Sequence, residues 1–457
     1  MQDLQSTLFR YGVYYPTVFL RGQNVPRYLR SLRHSQYVSE DAQLEMQRRK
    51  LVQLLAYARN YVPAYRDIDV SRAGPEHSVS ELLANIPPVT KTDIIRGGER
   101  YRSSERFFLL TPKTTGGSTG QSITIPKTRD ALARELAATW RSYEWTGVTI
   151  GDRQARLWGI PHGTWPRNRA RLIDFIANRR RLSAFGTSDE DLAEFCERMR
   201  RFKPTFIYGY ASLIARLADF ESEARTGFAR SVKSIISTSE VLTDAMRERI
   251  TSSFDRPVFN EYGCGELGSV AHECERGSLH VMAENMIVEI LRDGEPCAPG
   301  EPGELTITEL NNLALPLIRY RTGDFAAWAD APCDCGRSLP VISHVFGRAY
   351  DYIRDSQGRD YHPEFFMYIM EEAKQQELGI EAFQIIEQGA QELLIRLVPG
   401  AGFGESATHY VSERILNDFD PTTRITFETV DAIARERSGK MRLIKARAPE
   451  KTARSLQ

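Results

Sequence analysis

The first clear pattern of apolar and polar positions lies between residues 40 and 60. Apolar residues recur there mostly three or four positions apart, among Gln, Arg and Lys: Leu44, Leu51, Leu54, Leu55 and Ala58. This spacing predicts an amphipathic helix, which Pro63 and the residues before it would end. Further along, Thr90 is placed to cap a second helix that starts near Asp93.

From residue 129 the pattern alternates between helix and strand. Helical spacing covers residues 129–143, 172–176, 190–199, 213–223 and 244–253, and short apolar runs cover 155–159, 205–208, 234–237 and 257–259. Strands separated by helices of this length are typical of βαβ units, so we predict a large α/β domain with mostly parallel sheets. In such folds ligands bind where the carboxyl ends of the strands meet.

The pattern changes twice in the second half of the chain. From about residue 279, short extended runs and tight turns predict an antiparallel β subdomain that reaches residue 346. After residue 347 a helix, a hairpin, a helix and a strand follow, which predicts a small α+β unit of roughly a hundred residues. We therefore expect an N-terminal domain over residues 1–346 and a small C-terminal lid domain over residues 347–457.

Composition narrows the class of protein. The 457 residues carry 60 Lys and Arg against 60 Asp and Glu, so no net field favours nucleic acid or an anionic membrane. The N-terminus lacks the pattern of a signal peptide and no long apolar run occurs, so we expect a cytoplasmic protein without membrane insertion. Six cysteines in a chain this long do not indicate a disulfide scaffold. We interpret the basic run at residues 179–181 as a solvated helix or loop face.

The chemically most distinctive stretch is a run of glycine and hydroxyl residues, TTGGSTGQ, from Thr114 to Gln121. Glycines allow positive φ and close backbone approach, and hydroxyls and amides can surround an anion, so the run predicts a polyphosphate loop. A flexible polar turn explains it equally well by itself. It also lacks the Gly-Lys-Ser/Thr of the common P-loop.

Four later motifs offer the partners that such a loop needs. NEYGCGE, ending at Glu266, carries an aromatic ring for a base and a carboxylate for Mg²⁺, and LIRYRTGD, ending at Asp324, carries a carboxylate suited to a ribose diol. Gly347-Arg348 adds a cation at the predicted domain boundary, and SGKMR places Lys440 on a turn near the C-terminus. Each motif alone is an ordinary turn or a solvated cation, but chance poorly explains the ordered set.

Together these motifs resemble the adenylate-forming superfamily of acyl-CoA synthetases, adenylation domains and luciferases, and more narrowly its phenylacetate-CoA ligase branch. Residues 48–66 and 88–94 resemble that branch's N-terminal signatures, so the resemblance covers residues 40–445. It implies that a carboxylate attacks the α-phosphorus of ATP, giving an acyl-adenylate and pyrophosphate. A nucleophile, often the thiol of coenzyme A, then displaces AMP. Amides, Mg²⁺ and a lysine must offset the charge repulsion between the reactants.

The resemblance implies a nucleotide-binding set. The glycine loop would hold the β- and γ-phosphates, Tyr262 would line the adenine pocket, and Asp324 would bind the ribose hydroxyls. Ser239 and Glu240 are weaker candidates beside the adenine. The full set is Thr115, Ser118, Thr119, Gly120, Ser239, Glu240, Tyr262, Gly263, Asp324 and Arg348.

The resemblance also implies three catalytic residues. Glu266 would coordinate Mg²⁺, and Arg348 would contact the ribose or a phosphate. Lys440 would bridge the substrate carboxylate and the α-phosphate as a point charge, with Lys445 as the alternative.

The predicted hinge departs from the ligase pattern. The small domain of this superfamily rotates between the half-reactions, but Tyr350 occupies the position where the ligases have an aspartate. In this respect the chain resembles CapK-type relatives from capsular polysaccharide biosynthesis. The departure weakens the assignment of coenzyme A as the acceptor, which leaves an amine, a hydroxyl or a carrier-protein thiol as the alternative, and it affects adenylation less.

The cysteines form a second constellation. Cys274, His280, Cys333 and Cys335 supply three thiolates and an imidazole, a normal tetrahedral Zn²⁺ set, although C-x-C is tighter than the usual knuckle spacing. This pattern resembles one found in some phenylacetate-CoA ligase relatives, in which the metal is structural. Unmetallated thiols are the alternative.

Cys264 has no evident base nearby, so we interpret it as a pocket-lining thiol rather than a nucleophile.

The remaining two cysteines, Cys196 and Cys297, are interpreted as packing residues. The resemblance places a group of largely aromatic residues beside the acid pocket, which suits an aryl or other flat acid. Core packing is the alternative for this group, which consists of Trp158, Gly159, His162, Trp165, Tyr208 and Tyr210.

Three functions follow from the sequence. The leading one is an ATP-dependent acid-thiol ligase that uses ATP, Mg²⁺ and coenzyme A to make an acyl-CoA, with a structural Zn²⁺. The second is an adenylating ligase that passes the acyl group to an amine, a hydroxyl or a carrier-protein thiol. The third is a catalytically silent nucleotide-binding protein. The oligomeric state stays open, with a homodimer among the options.

Overall fold

The computed structural model describes residues 4–68, 77–114, 123–159, 164–184, 187–240, 242, 244–345, 353–361, 363–433 and 444–445. The helices are α1 (Leu4–Phe9), α2 (Tyr15–Leu20), α3 (Val25–Ser35), α4 (Glu40–Tyr61), α5 (Val79–Ala84), α6 (Lys91–Gly97), α7 (Arg129–Trp145), α8 (Thr164–Ile176), α9 (Asp189–Phe202), α10 (Ala211–Ala224), α11 (Asp244–Phe254), α12 (Pro363–Gln375) and α13 (Glu405–Asp418). None of these described helices has both the length and the apolar composition that crossing a membrane requires.

The strands before the C-terminal unit are β1 (Thr111–Thr114), β2 (Thr124–Lys127), β3 (Gln154–Trp158), β4 (Arg179–Ser183), β5 (Phe206–Tyr210), β6 (Ser234–Thr238), β7 (Val258–Cys264), β8 (Gly268–Glu273), β9 (Leu279–Val281), β10 (Met286–Arg292), β11 (Glu295–Pro296), β12 (Gly303–Glu309), β13 (Tyr320–Trp328) and β14 (Val341–Val345). They are followed by β15 (Ile353–Arg354), β16 (Asp360–Tyr361), β17 (Ile380–Gly389), β18 (Glu392–Pro399), β19 (Arg424–Thr429) and β20 (Ile444–Lys445).

Twelve strands form one mixed sheet in the order β11-β10-β12-β13-β14-β9-β8-β7-β6-β5-β3-β4. Strands β3, β5, β6 and β7 are parallel, as the alternating pattern predicts, and β4, which the pattern does not predict, joins them at the edge of the sheet. The α/β fold class is therefore confirmed. The antiparallel part begins at β8, earlier than residue 279, and it continues the same sheet because β8 folds back directly onto β7.

The central strands are buried on both faces. Every residue of β5 and β6 is buried, because α9, α10 and α11 cover one face of the sheet and Tyr143 of α7 packs on the other. Such strands have near-continuous apolar runs rather than alternation. For this reason the sequence identifies β5 and β6 by the length of their apolar runs and by the helical segments between them, and not by alternation.

Two predicted helices form where the sequence places their signals. Helix α4 buries Leu51, Leu54 and Leu55 on one face and ends at Tyr61, while Leu44 is exposed. Helix α6 begins at Lys91 under a capping box, in which the Thr90 hydroxyl accepts from the Asp93 amide and the Asp93 carboxylate accepts from the Thr90 amide.

The interpretation of residues 179–181 as a solvated helix or loop face is wrong. These residues begin β4, which pairs in parallel with β3 at the edge of the sheet. The Asp174 carboxylate on α8 accepts from Arg179 Nε at 2.5 Å and from Arg181 Nη2 at 2.8 Å. This counter-charge is what allows arginines to occupy a strand.

The C-terminal elements form their own sheet and core. The sheet order is β19-β18-β17-β20, with β17 and β18 in the predicted hairpin. Helices α12 and α13 pack on it around a core that includes Phe365, Phe366 and Phe383. The domain boundary at residue 347 lies outside the described residues and stays a prediction.

Candidate functional site

The structure brings two of the predicted motifs together through reciprocal contacts. Tyr262 on β7 donates its hydroxyl to Asp324 Oδ2 on β13 at 2.9 Å. Tyr320, at the start of β13, donates its hydroxyl to Glu266 Oε1 at 3.2 Å. Each tyrosine thus holds the carboxylate of the other motif. Since three strands separate β7 from β13 in the sheet, these contacts require the sheet to curl strongly.

A tight hairpin presents Glu266 to this site. Strand β7 ends at Cys264 and β8 begins at Gly268, with a β-bulge between Tyr262 and Gly263 that redirects the side chains. A Cβ atom on Gly263 would lie 2.6 Å from the carbonyl oxygen of Gly268, so the hairpin can close only with glycine there. The predicted contact of Gly263 with the nucleotide stays a prediction.

Lys91 is a site residue that the sequence analysis missed. The Val89 amide donates to the Arg319 carbonyl at 2.9 Å, and the Arg321 amide donates to the Val89 carbonyl at 2.9 Å. This bridge places the start of α6 beside Tyr320, with Lys91 Nζ 3.8 Å from Glu266 Oε1. A signal was present, because a cation at the N-terminus of a helix opposes the helix dipole and needs another reason to be there.

Two lysines also missed by the sequence analysis anchor the glycine loop. Strands β1 and β2 pair on either side of it, with Thr114 opposite Thr124. On β1, Lys113 Nζ lies 2.5 Å from Glu135 Oε1 of α7, and on β2, Lys127 Nζ lies 2.6 Å from Glu309 Oε1 of β12. The two ion pairs fix both ends of the loop against the body of the protein.

Burial and the charge of the neighbouring groups shift the pKa values of Lys113 and Glu309 in opposite directions. Burial alone would lower the pKa of Lys113, but the carboxylates of Glu135 and Glu309 outweigh it and hold that pKa above its ordinary value. Burial raises the pKa of Glu309, and the ammonium of Lys127 opposes this rise. Each ion pair therefore offsets part of the cost of burying its two charges. The loop residues Thr115, Ser118, Thr119 and Gly120 lie outside the described residues.

Replacing Lys127 by alanine should destabilise the protein strongly. The ammonium is fully buried, and its loss would leave the buried Glu309 carboxylate without its ion-pair partner, which costs about 3–5 kcal/mol. Urea unfolding at neutral pH measures the loss. The matched control is Lys127→Met with Glu309→Leu, which removes both charges and should recover most of the stability. Equal losses in the single and double variants would contradict the ion-pair explanation.

The weaker candidates follow β6. Ser239 adopts a left-handed backbone conformation, with φ of 67°. The Glu240 carboxylate accepts from the Ser212 amide at 2.8 Å and from the Ser212 hydroxyl at 2.6 Å, at the N-terminus of α10. This structural task accounts for Glu240, and nucleotide contact by either residue stays a prediction. Arg348, Tyr350 and Lys440 lie outside the described residues.

Cys264 is half-buried beside Glu266. Burial is the main cause that raises the pKa of its thiol, and the Glu266 carboxylate adds to the rise. The thiolate nucleophile is therefore disfavoured at neutral pH, which supports the interpretation of Cys264 as a pocket-lining residue. Cys196 and Cys297 are buried in the core, as expected of packing residues.

The structure gathers the predicted zinc ligands. The four ligand atoms of Cys274, His280, Cys333 and Cys335 lie within 4.8 Å of one another. Cys274 Sγ and Cys333 Sγ are 3.7 Å apart, close to the ~3.8 Å that a tetrahedral ion with Zn–S bonds of about 2.3 Å requires. His280 Nε2 lies 3.3 Å from Cys335 Sγ, and Nδ1 lies 2.9 Å from the Leu339 carbonyl. That carbonyl orients the imidazole in the manner of metal-bound histidines.

The aromatic group at the ends of β3 and β5 is also assembled. The Trp158 ring stacks with Tyr208 at a centroid distance of 5.8 Å and contacts Tyr210 at 4.5 Å. Tyr210 is fully buried, so core packing explains its position, whereas Trp158 is only partly buried. His162 and the side chain of Trp165 lie outside the described part of the chain.

Two protein families match separate parts of the chain. The AMP-binding enzyme family matches residues 115–313, a range that contains the glycine loop and Glu266. The CapK C-terminal domain family matches residues 362–447, a range that contains Lys440.

Similar proteins cover about two thirds of the chain. Protein CapK of Staphylococcus aureus is 23% identical over 324 residues, which are 68% of this chain and 69% of CapK. The phenylacetate-coenzyme A ligase of Thermus thermophilus is 24% identical over 67% of this chain and 71% of its own length. The Escherichia coli ligase of the same name is 25% identical over 69% and 73%.

A solved structure shares the overall fold. The crystal structure of a 2-hydroxyisobutyryl-CoA ligase in the postadenylation state, in complex with R3-HIB-AMP, superimposes with a TM-score of 0.57 at 19% identity. The match covers 90% of this chain and 91% of that one. The family matches, the relatives and the fold confirm the resemblance read from the motifs. The chain therefore carries an AMP-binding enzyme domain and a CapK C-terminal domain, is related to the phenylacetate-CoA ligases and CapK among the adenylate-forming enzymes, and is an AMP-forming ligase.

Proposed function

We propose that this protein activates a carboxylic acid with ATP and Mg²⁺ to an acyl-adenylate and then transfers the acyl group to coenzyme A. The observation that carries the proposal is the pair of reciprocal contacts, Tyr262 with Asp324 and Tyr320 with Glu266. They hold two carboxylates from distant motifs at one end of the sheet, in fixed orientations. Such preorganisation is what a reaction between two anions requires.

In this proposal the two carboxylates have different tasks. Asp324 binds the ribose hydroxyls, while Tyr262 fixes its orientation and lines the adenine pocket. Glu266 fits a Mg²⁺ ligand, because it is a buried carboxylate and Mg²⁺ in nucleotide sites is held by one or two carboxylates together with phosphate oxygens. Lys91 lies beside Glu266, where its ammonium would offset phosphate charge. Bound Mg²⁺ would supply neutralisation of the polyphosphate.

The acid is proposed to be flat or aromatic. Support comes from the partly buried Trp158 ring stacked on Tyr208, next to the carboxyl ends of β3 and β5. The guanidinium of Arg156 lies 4.6 Å from the Trp158 ring and keeps it in place. The names of the phenylacetate-coenzyme A ligases among the relatives point in the same direction.

The acceptor has a second candidate. The CapK C-terminal domain family matches residues 362–447, the part of the chain that would form the lid during transfer. Together with Tyr350 at the predicted hinge, this match favours an amine, a hydroxyl or a carrier-protein thiol. We place the reaction in the cytoplasm, where ATP and coenzyme A are available.

Acid-dependent ATP–pyrophosphate exchange tests the first step without any acceptor. We expect exchange with at least one member of a panel of aryl, aliphatic and amino acids. Adding coenzyme A with that acid should then yield the acyl-CoA, which chromatography identifies. An acyl-adenylate that accumulates with coenzyme A present would favour the second acceptor class. ATP binding with no exchange on any acid would support the silent nucleotide-binding protein instead.

We further propose that Cys274, His280, Cys333 and Cys335 hold a structural Zn²⁺. The four ligand atoms leave no open position for substrate, and they come from the residue directly after β8, from β9 and from the segment between β13 and β14. The ion would therefore tie together strands that lie far apart in sequence.

Removing this zinc should lower the thermal stability of the purified protein. Metal analysis should find about one zinc per chain, and Cys333→Ser should lose it, because one of four ligands is missing. Cys297→Ser is the matched control, since this buried cysteine lies outside the cluster, and it should keep the metal. Less than about half an equivalent in native protein, with no melting shift on chelation, would contradict the site.

A further inference from the structure

The N-terminal helical segment shows inverted polarity. Helix α1, a π-helical turn at Arg10–Tyr14 and helix α2 follow one another without a break. The side that packs on the protein body carries Ser6, Arg10, Tyr14 and Val18. The outer side carries large apolar residues that are between 52% and 89% exposed: Leu4, Leu8, Tyr11, Phe19 and Leu20. A surface helix of a globular protein normally has the opposite arrangement.

Polar contacts fix this orientation. Arg10 Nε donates to the Ile150 carbonyl at 2.8 Å, and Trp140 Nε1 donates to the Tyr14 hydroxyl at 2.7 Å. Both contacts pull the polar side of the segment inward. The apolar side is thereby left facing outward along about 25 Å of helix.

The exposed face is also strongly basic. Residues 4–39 contain five arginines and no lysine, aspartate or glutamate. Arg21, Arg27 and Arg30 are exposed, and within the described residues none of their guanidinium groups forms an ion pair. The overall balance of 60 basic and 60 acidic residues conceals this local excess.

The nearest acids on α7 already have partners. Asp130 accepts from Arg134 Nε at 2.8 Å, and Glu144 accepts from Arg33 Nε at 2.8 Å. The face extends past α2, because Gly22 packs against the Arg129 side chain, whose guanidinium lies 5.3 Å from the exposed ring of Phe108. Apolar side chains flanked by unopposed arginines therefore cover one continuous surface.

We propose that this face, made of α1, α2, Arg21 directly after α2 and the exposed arginines of α3, adsorbs the protein to the surface of an anionic lipid bilayer. Interfacial helices combine an apolar stripe that enters the headgroup region with cations that meet anionic lipids. A straight line of side chains also matches a flat surface. This is adsorption on a membrane, distinct from spanning one, and it does not depend on the proposed activity.

A second copy of the chain fits this face less well. In a two-fold dimer the same surface meets itself, so the arginines of the two copies would face each other. Among the residues that the structure describes, no acid of the face is available to balance them, and juxtaposed like charges oppose association. Charge complementarity therefore selects an anionic partner.

Vesicle flotation with the purified full-length chain tests the proposal. We expect the protein to float with vesicles in which about a third of the lipid is phosphatidylglycerol, and to stay behind with phosphatidylcholine alone. Binding should weaken as salt shortens the screening length. Leu8→Gln with Leu20→Gln should weaken binding at least about tenfold, and Arg21→Gln with Arg30→Gln should weaken it about tenfold.

The matched control is Leu44→Gln with Arg59→Gln, which removes an exposed leucine and an exposed arginine from α4 and should bind like the unaltered protein. Far-ultraviolet circular dichroism and thermal melting without vesicles report that each variant is folded. Absence of flotation with the anionic vesicles overturns the proposal. The proposal is also overturned if the variant Leu8→Gln with Leu20→Gln binds the anionic vesicles as well as the unaltered protein does. A dimer in sedimentation velocity that the same substitutions dissociate would show that a second copy covers the face.

Discussion

Replacing Lys440 by alanine should reduce acid-dependent ATP–pyrophosphate exchange by about 10²- to 10³-fold, the usual loss when one preorganised charge-stabilising group is removed. In the proposed reaction its ammonium bridges the substrate carboxylate and the α-phosphate, so it acts on charge that develops in the adenylation step. The residue lies within the range that matches the CapK C-terminal domain family. ATP affinity, measured by calorimetry, should change little, because the other proposed nucleotide-binding residues, apart from Arg348, precede residue 347.

Lys445→Ala is the matched control for Lys440. Lys445 lies on β20 and pairs with Ile386 of β17, so it belongs to the framework of the C-terminal sheet. The half-reaction that starts from a prepared acyl-adenylate should also survive in Lys440→Ala, because the resemblance implies that rotation of the small domain carries this lysine away before transfer. If Lys445→Ala loses ATP–pyrophosphate exchange while Lys440→Ala keeps it, Lys445 is the catalytic lysine instead of Lys440.

Sequence periodicity predicted the parallel strands β3, β5, β6 and β7 because each of them is one short apolar run between helices, but it missed β4, which begins with three arginines. It could not predict that the antiparallel strands continue the same sheet, since pairing between β7 and β8 depends on a tight hairpin closed by Gly263. Helices α1–α3 were not predicted either. In the segment from α1 to α2 the outer side is apolar and the inner side carries Arg10, so the usual rule for locating a buried face does not apply there.

The site was predictable as a set of motifs but not as a set of contacts. Glu266 and Asp324 were identified by the chemistry of their motifs. That each carboxylate is held by the tyrosine of the other motif depends on the curl of the sheet, which local sequence does not encode. Lys127 looks like an ordinary solvated cation in sequence because its partner, Glu309, is 182 positions away.

Replacing Glu266 by glutamine should reduce exchange by about 10²- to 10³-fold and raise the Mg²⁺ concentration needed for half-maximal rate. Glutamine keeps the shape of the side chain and an oxygen that can accept from Tyr320. It loses the negative charge, and Mg²⁺ prefers charged oxygen ligands over neutral ones. It also leaves the ammonium of Lys91, 3.8 Å away, without its carboxylate neighbour. Exchange measured across a Mg²⁺ titration separates loss of metal affinity from loss of maximal rate.

Tyr320→Phe distinguishes the charge of Glu266 from its orientation. This variant keeps the carboxylate and removes only the hydroxyl that donates to it at 3.2 Å. A hydrogen bond to a charged group contributes about 1.5–3 kcal/mol, so the loss of rate should stay at or below about a hundredfold, with a smaller change in Mg²⁺ dependence. If both variants melt at the same temperature as the unaltered protein, neither loss of rate comes from unfolding. If Glu266→Gln keeps the Mg²⁺ dependence of the unaltered protein, Glu266 is not the metal ligand, and its buried carboxylate then serves to hold Lys91 and Tyr320 in place.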